Sequence, residues 1–250
     1  MHPSKENLSW LEFDRLEPYP QIVHGVFSRK GGVSEGAYAS LNTSMSVGDH
    51  PDKVKENRNR IAKALGIGRL VVPHSSHGIG VSRVTSSNWE TTHQADALFT
   101  TEKDLGLCAT HADCQIGFFY DPKHQAIAIA HSGWRGNVQN IYSHVVKALQ
   151  EEIGSNPADL IVCISPSLGP DHAEFTNYKK ELPEEFWTFQ VKPHYFDLWE
   201  IAKMQLTKAG VKPEKIEIAG ICSYCASEDY FSHRREKNAG RNASVIAIKG

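Results

Sequence analysis

The chain offers nothing that would hold it in a bilayer. Its 250 residues contain no run of 18 apolar residues, so no transmembrane helix is expected. A dominant charge sign is also missing. Lys and Arg number 27 against 29 acids, for a net charge of -2, which argues against a general nucleic-acid binder. The N-terminus, MHPSKENLSW, lacks the basic start and apolar stretch of a signal peptide, and none is expected. Cysteine is scarce and odd in number: Cys108, Cys114, Cys163, Cys222 and Cys225 cannot all pair. A disulfide framework therefore reads poorly for a chain of this length, and a reducing cytoplasm is the expected compartment. Neither a GxxxxGK[ST] phosphate loop nor a GxGxxG dinucleotide loop occurs, and there is no internal repeat or low-complexity tract.

What is present is an ordinary globular composition, 40% hydrophobic and 22% charged, with an unusual 13 histidines that turn attention to metal chemistry. Residues 1–20 are polar, carry Pro18 and Pro20, and read as an N-terminal arm; residues 21–250 read as a single domain. Residues 22–28 suit a strand and 29–36 a glycine-punctuated loop. Residues 51–65 suit a helix opened by Pro51 and stopped by Gly66. Short apolar runs at 70–72, 116–120 and 127–130 read as strands, the last two as a hairpin about Asp121-Pro122-Lys123-His124. Residues 137–152 form a periodic helix that Asn137 would cap; 198–209 form another. Further strands are expected at 160–164, 216–220 and 244–248. Strands and helices mix without regular alternation, so the expected class is α+β, one domain of mixed β-sheets packed with helices.

Three segments place a metal-capable residue beside glycine or a turn: Ser75-Ser76-His77-Gly78, His111-Ala112-Asp113-Cys114, and Ala130-His131-Ser132-Gly133-Trp134-Arg135-Gly136. Cys114 precedes one strand of the expected hairpin and His131 follows the other, which brings the two to the same end. Two imidazoles and one thiolate suit Zn²⁺ with a fourth position left for water, whose pKa falls to about 7. His111 and Asp113 lie close enough in sequence to serve as proton carriers or as partners behind the ligands. The same residues also permit a metal-free reading, with Cys114 as nucleophile and His131 as general base. Taken singly, each of the three reads first as a satisfied histidine or a small core residue; taken together, the two readings are balanced.

Other features carry less. Cys222-Ser223-Tyr224-Cys225 is a lone CxxC. A zinc knuckle needs a second pair and a redox motif wants a βαβ context, so a structural role is expected. Ser232-His233-Arg234-Arg235, with Lys237 and Arg241, forms a basic cluster that suits either a solvated turn or an anion site. Arg29, beside Gly31-Gly32, is a similar anion candidate.

The order of these pieces resembles the YfiH family, also labelled laccase-domain or multicopper polyphenol oxidase-like, whose members are described as purine nucleoside phosphorylases. The resemblance covers about residues 22–248. It rests on His24-Gly25-Val26-Phe27-Ser28-Arg29 with Gly31-Gly32-Val33-Ser34, on Ser40-Leu41-Asn42, Val47-Gly48-Asp49 and Asn57-Arg58, and on His77-Gly78 and Ala95-Asp96-Ala97-Leu98. It continues through Ala112-Asp113-Cys114, His131-Ser132-Gly133-Trp134-Arg135-Gly136, Pro166-Ser167-Leu168-Gly169-Pro170, Cys222-Ser223-Tyr224, Phe231-Ser232-His233-Arg234-Arg235 and Gly240-Arg241-Asn242-Ala243. Serine stands here at Ser75-Ser76 where the family often has Gln-Val, His111 replaces a threonine, and Asp171 stands where many members have a cysteine.

The resemblance implies zinc held by His77, Cys114 and His131, with copper possible as a substitute. It implies phosphorolysis of adenosine, inosine, guanosine and methylthioadenosine, so that a purine nucleoside and phosphate are the partners. Adenosine deamination is assigned to some members, and editing of peptidoglycan precursors to others. On this reading Cys114, His131, Asp113 and His111 are the catalytic candidates, and Arg29, Asn42 and Arg135 the substrate contacts. Arg135 reads equally as a tie at a helix start, and Asn42 as a turn cap. The oxidase label fits the sequence poorly, because no His-x-His pair occurs. Two alternatives stay open: a Cys/His hydrolase or amidase acting on a small substrate such as a peptidoglycan precursor, and a binding protein whose zinc is structural. A monomer or homodimer is expected.

Overall fold

The strand runs 115–121 and 126–132 carry apolar residues on both faces, as strands do when something covers each side of the sheet. A computed structural model describes residues 8–250 and the backbone of residues 2 and 3. Its elements, in chain order, are β1 (His2–Pro3), β2 (Ser9–Leu11), β3 (Ile22–Phe27), α1 (Pro51–Leu65), β4 (Arg69–Val71), β5 (Val81–Arg83), β6 (Ala97–Thr100) and β7 (Leu105–His111). They continue with β8 (Gln115–Asp121), β9 (Ala126–Ser132), α2 (Trp134–Val138), α3 (Ile141–Ile153), β10 (Ile161–Ile164), α4 (Tyr178–Glu181), β11 (Gln190–Lys192), β12 (Tyr195–Phe196), α5 (Leu198–Lys208), β13 (Ile216–Ile218) and β14 (Asn242–Ile248).

One six-stranded sheet runs β1-β2-β3-β14-β7-β4 and the other β13-β10-β8-β9-β6-β5; β11 and β12 form a small hairpin apart. Both large sheets mix parallel and antiparallel pairs. The sheets face each other across a core that includes Val26, Leu107 and Ile246 of the first and Ile116, Phe118, Ile127 and Ile129 of the second. The outer face of the second sheet, with Phe119, Ala128 and Val162, packs on α3 and α5 through Val145, Leu149, Ala202 and Leu206. The outer face of the first, with Phe27, Cys108 and Val245, packs on Ile61 and Leu65 of α1. Helix, sheet, sheet and helix thus make four layers, and Phe118 and Phe119 serve two different cores from one strand. Each fully buried apolar side chain contributes about 1.5–3 kcal/mol. This is a single domain of mixed sheets and helices, as the class expected from sequence requires.

Local signals explain several boundaries. Pro51 opens α1, His50 Nδ1 accepts from the Asp52 amide at 3.3 Å, and Gly66 ends the helix in the left-handed region at φ 67°. The hairpin pairs Gln115 with Ser132 and Ile116 with His131, so Cys114 and His131 do share one end. Two expectations are corrected. The helix expected at 137–152 is broken at Asn140, which sits at φ 57° and caps α3 by accepting from Ser143 N. Asn137 instead lies buried in α2 with its Nδ2 on Gln115 Oε1. The polar N-terminal stretch is not a free arm from Leu8 onward. β2 pairs with β3, and Leu8, Trp10, Phe13 and Leu16 are buried, because isolated apolar residues in a polar stretch suffice to dock it. Residues 1 and 4–7 of that expected arm lie outside the described residues.

Candidate metal centre

The hairpin end places Cys114 beside His131, and a loop before β5 supplies His77. One ligand atom from each lies within 4.8 Å of the others. The set grades from inside to outside, with His131 buried, Cys114 partly covered and His77 exposed. The two imidazoles meet edge to face, 5.0 Å between ring centres.

Asp96 organises this cluster. It precedes β6, and the pairing of Ala97 with Ala130 sets it beside His131. Its backbone carbonyl accepts from His131 N at 2.7 Å, and its carboxylate accepts from His131 Nδ1 at 3.3 Å. The same carboxylate accepts from the amides of Ser76, His77 and Gly78 at 3.2, 2.9 and 2.7 Å. With Nδ1 engaged, Nε2 is the nitrogen left to coordinate, the carboxylate–histidine arrangement common behind metal sites. The three amides also hold the His77 loop at φ 61°, a left-handed backbone costing roughly 1–2 kcal/mol in a non-glycine residue.

Charge completes the picture. Burial pushes the Cys114 thiol up, but His131 and His77 outweigh it and bring its pKa down to about 6. Burial lowers the His131 imidazole, but Cys114 and Asp96 outweigh that and raise it to about 9. Asp96 stays well below the usual carboxylate range: burial works against this, and the His131 hydrogen bond and the Gly78 amide prevail. Cys114 and His131 thus favour each other's charged form, thiolate beside imidazolium, with the Asp96 carboxylate behind the imidazole.

Gly133 gives the fit its tightest constraint. A Cβ there would stand 3.1 Å from His77 Cδ2 and 3.2 Å from Cys114 Sγ. The backbone is drawn close against two of the ligands, and a side chain there would crowd both. A His₂Cys donor set in a cradle of this kind suits a zinc ion with one position open.

The other expected site residues fall in different places. Arg135 lies two residues beyond Gly133, exposed, its guanidinium 5.1 Å over the Trp134 ring and donating no hydrogen bond among the described residues. Trp134, 36% exposed, follows Gly133 directly and meets Phe175 edge to face, 6.4 Å between ring centres. Arg29 is not brought to the three ligands. It stacks on Phe231 at 4.5 Å, donates from Nε to Ala39 O, and lines a separate open hollow of about 390 Å³ with Lys30 and Glu228.

Three expected site residues have structural partners of their own. Asn42 is fully buried and spends its amide on Ser44, Asp49 and Arg241, which braces its loop. Asp113 turns its carboxylate to Ser223 Oγ at 2.7 Å and the Arg234 amide at 2.6 Å, which ties two loops together. His111 is buried, Nε2 pairs with Ser244 Oγ at 3.0 Å, and burial together with the charge of His131 pushes its pKa down to about 3, which favours the neutral imidazole. In the basic cluster, Arg234 and Arg235 are engaged with backbone carbonyls of the 172–174 and 223–230 segments. Arg241 donates to Ala239 O and Gly240 O, close enough to Cys114 and Asp113 to feel their charge. Sequence reading gave no role to Asp96 or Trp134. The sign of Asp96 in the sequence is an acid set between two alanines just before an apolar strand, in the Ala95-Asp96-Ala97-Leu98 motif.

Comparison with known proteins identifies the family. A family model described as multi-copper polyphenol oxidoreductase laccase matches residues 23–249. The chain is 34% identical to a purine nucleoside phosphorylase of Bacteroides thetaiotaomicron, over 95% of this chain and 96% of that one. It is 30% identical to the purine nucleoside phosphorylase YfiH of Escherichia coli, over 92% and 95%. Among solved structures, Bacillus licheniformis YfiH superposes with a TM-score of 0.88 at 30% identity, covering 96% of this chain and 97% of that one. The family's copper label is not matched by the donors: among the described residues only two groups of three His or Cys ligands occur, too few for a multi-copper cluster.

Proposed function

The chain belongs to the multi-copper polyphenol oxidoreductase laccase family, and on that premise we propose that it is a zinc-dependent purine nucleoside phosphorylase, releasing a purine base and ribose 1-phosphate from adenosine, inosine, guanosine or methylthioadenosine. The observation that carries the reading is the His77–Cys114–His131 set backed by Asp96 and cradled by Gly133. It sits in a chain whose relatives over nearly their full length are named purine nucleoside phosphorylase.

A zinc ion there would supply a Lewis acid, able to polarise the substrate group that reaches its open position. The remaining work falls to the chain. Asp96 holds His131 in one orientation and the His77 loop in place, so the donor set needs little rearrangement. Trp134 offers a partly exposed indole on which a purine can stack once the Arg135 guanidinium, now 5.1 Å over its ring, moves aside. The Arg135 fork, which makes no hydrogen bond among the described residues, matches two phosphate oxygens. Base platform and anion contact would thus be adjacent residues, directly after Gly133. Phosphate attacks the anomeric carbon of the ribose, the bond to the purine nitrogen breaks, and that nitrogen takes a proton as the base departs.

Adenosine deamination at the same centre is the second activity to assay. The test supplies metal-loaded protein with each of the four nucleosides, with and without phosphate, and follows base, ribose 1-phosphate and inosine by chromatography. Phosphate-dependent release of base, lost together with zinc in Cys114→Ala and with a raised phosphate KM in Arg135→Ala, is the expected outcome. Zinc-loaded protein that turns over none of the four would refute the assignment. Turnover that persists in metal-free protein would move it to a Cys114/His131 hydrolase.

A further inference from the structure

The lone CxxC of the sequence gains a third ligand in the fold. His172, from the loop that follows Gly169-Pro170, directs Nδ1 at both sulfurs, 3.7 Å from Cys222 Sγ and 3.6 Å from Cys225 Sγ. All three ligand atoms lie within 4.8 Å of one another. In tetrahedral zinc, bonds of about 2.3 Å to sulfur and 2.0–2.1 Å to nitrogen place S and N roughly 3.5–3.6 Å apart. Both measured separations fall within about 0.2 Å of that edge.

We infer that His172, Cys222 and Cys225 form a second zinc site, distinct from the His77–Cys114–His131 centre and open to solvent at its fourth position.

The surroundings are built for a thiolate ligand. The Gly169 amide donates to Cys222 Sγ at 3.3 Å, as backbone amides do around zinc-bound sulfur. A Cβ on Gly169 would stand 3.0 Å from Cys222 Cβ and 3.2 Å from its sulfur, so glycine is what lets the amide approach. The His172 ring is fixed by stacking on Tyr224, 4.1 Å between ring centres and 19° from parallel. Its carbonyl accepts from Arg234 Nη1 at 3.2 Å. The CxxC loop is tied to the 167–169 loop by Ser167 N to Ile221 O and Ser223 N to Ser167 O, at 3.1 and 2.9 Å. The three ligands are therefore held near their final places without an ion.

A dithiol redox centre fits less well. Such a motif needs a thiol whose pKa is lowered by a cation or a helix N-terminus. Here both sulfurs stand on a turn outside any helix, Cys225 exposed and Cys222 beneath the Gly169 amide. Two thiolates and an imidazole favour zinc or copper(I) over the hard cations. Cys225 is exposed, so the ion would exchange with the medium more readily than one held at the buried centre.

The test uses the full chain, purified without a histidine tag under reducing conditions, stripped with a chelator and titrated with Co²⁺, whose thiolate charge-transfer absorption reports sulfur ligands. Wild-type protein should bind two cobalt ions per chain. In Cys114→Ser, one ion and its thiolate absorption should remain. In Cys225→Ser, a surface change that leaves the core untouched, the second ion should be lost while the first is kept. His172→Ala should weaken that second ion at least tenfold. One cobalt ion per chain, with all thiolate absorption removed by Cys114→Ser, would overturn the inference. So would recovery of Cys222 and Cys225 as a disulfide from reduced, zinc-supplemented protein.

Discussion

Cys114 and His131 stand at strand ends and His77 on a loop, beside a glycine cradle and with a buried carboxylate behind them. His172, Cys222 and Cys225 all stand on loops, with no carboxylate hydrogen-bonded to the imidazole among the described residues and with one cysteine exposed. The donor elements are nearly the same, two of one kind and one of the other, yet their settings differ in every respect that governs a metal. At the first, Asp96 fixes an imidazole tautomer and opposes the loss of the His131 proton until a metal displaces it. At the second, the imidazole is held by a stacked tyrosine, which fixes orientation without charge. Identity of the ligands thus sets which ion is accepted, while burial and the partners behind the ligands set how firmly it is held and what it can do.

The largest effect on this contrast should come from Cys114→Ala. It should remove the inner ion and bring phosphorolysis to the no-enzyme level, with the outer ion unchanged by metal analysis. Asp96→Asn should lower inner-site affinity by about 10–100-fold, since it removes the charge and weakens the hold on His131. Wild-type affinity in that variant, measured by competition with a chelator, would show that the carboxylate is incidental. Gly133→Ala should weaken the inner ion by about tenfold, an overpacking cost at the low end of about 1–3 kcal/mol, and should leave the outer site alone.

Alkylation of chelator-treated protein separates the two regions by pH. The Cys114 pKa is lowered to about 6, so its thiolate is present above that pH and reaction should continue at pH 7. The Cys225 pKa is raised, so its thiolate should appear only in more alkaline solution despite its exposure. Peptide mapping after iodoacetamide at several pH values would expose any inversion of that order. The smallest effect should be on metal-free stability in Cys225→Ser, within about 0.5 kcal/mol by urea denaturation, as for an exposed position.

Local chemistry was legible and long-range pairing was not. Pro51 and Gly66 framed α1 to the residue, because a helix start and stop are written in adjacent positions. The hairpin about residues 121–124 was equally plain, and with it the meeting of Cys114 and His131. The break at Asn140 was hidden because the apolar stripe runs on beyond it, and only the left-handed backbone of one asparagine interrupts the helix. Asp96 acquires its place from the register of β6 on β9, and His172 reaches Cys222 across fifty residues of chain. Neither contact leaves a trace in spacing. The partners of His111 and Asp113 were hidden for a related reason: nearness to Cys114 in sequence does not say which way a side chain turns, and one went to Ser244, the other to Ser223 and Arg234.

The double covering of the second sheet also affects the unfolded chain. Residues 126–132, AIAIAHS, carry no charged side chain other than a histidine, and residues 115–120, QIGFFY, carry none. In the native state helices lie on one side and a second sheet on the other. Before those layers arrive, both strands are uncharged, β-prone segments of the kind that stack between molecules. Asp121 and Lys123, at the turn between them, supply the only formal charges in this stretch and act as gatekeepers against intermolecular pairing. Refolding yield should therefore fall steeply with protein concentration, and more steeply still when those two turn charges are removed.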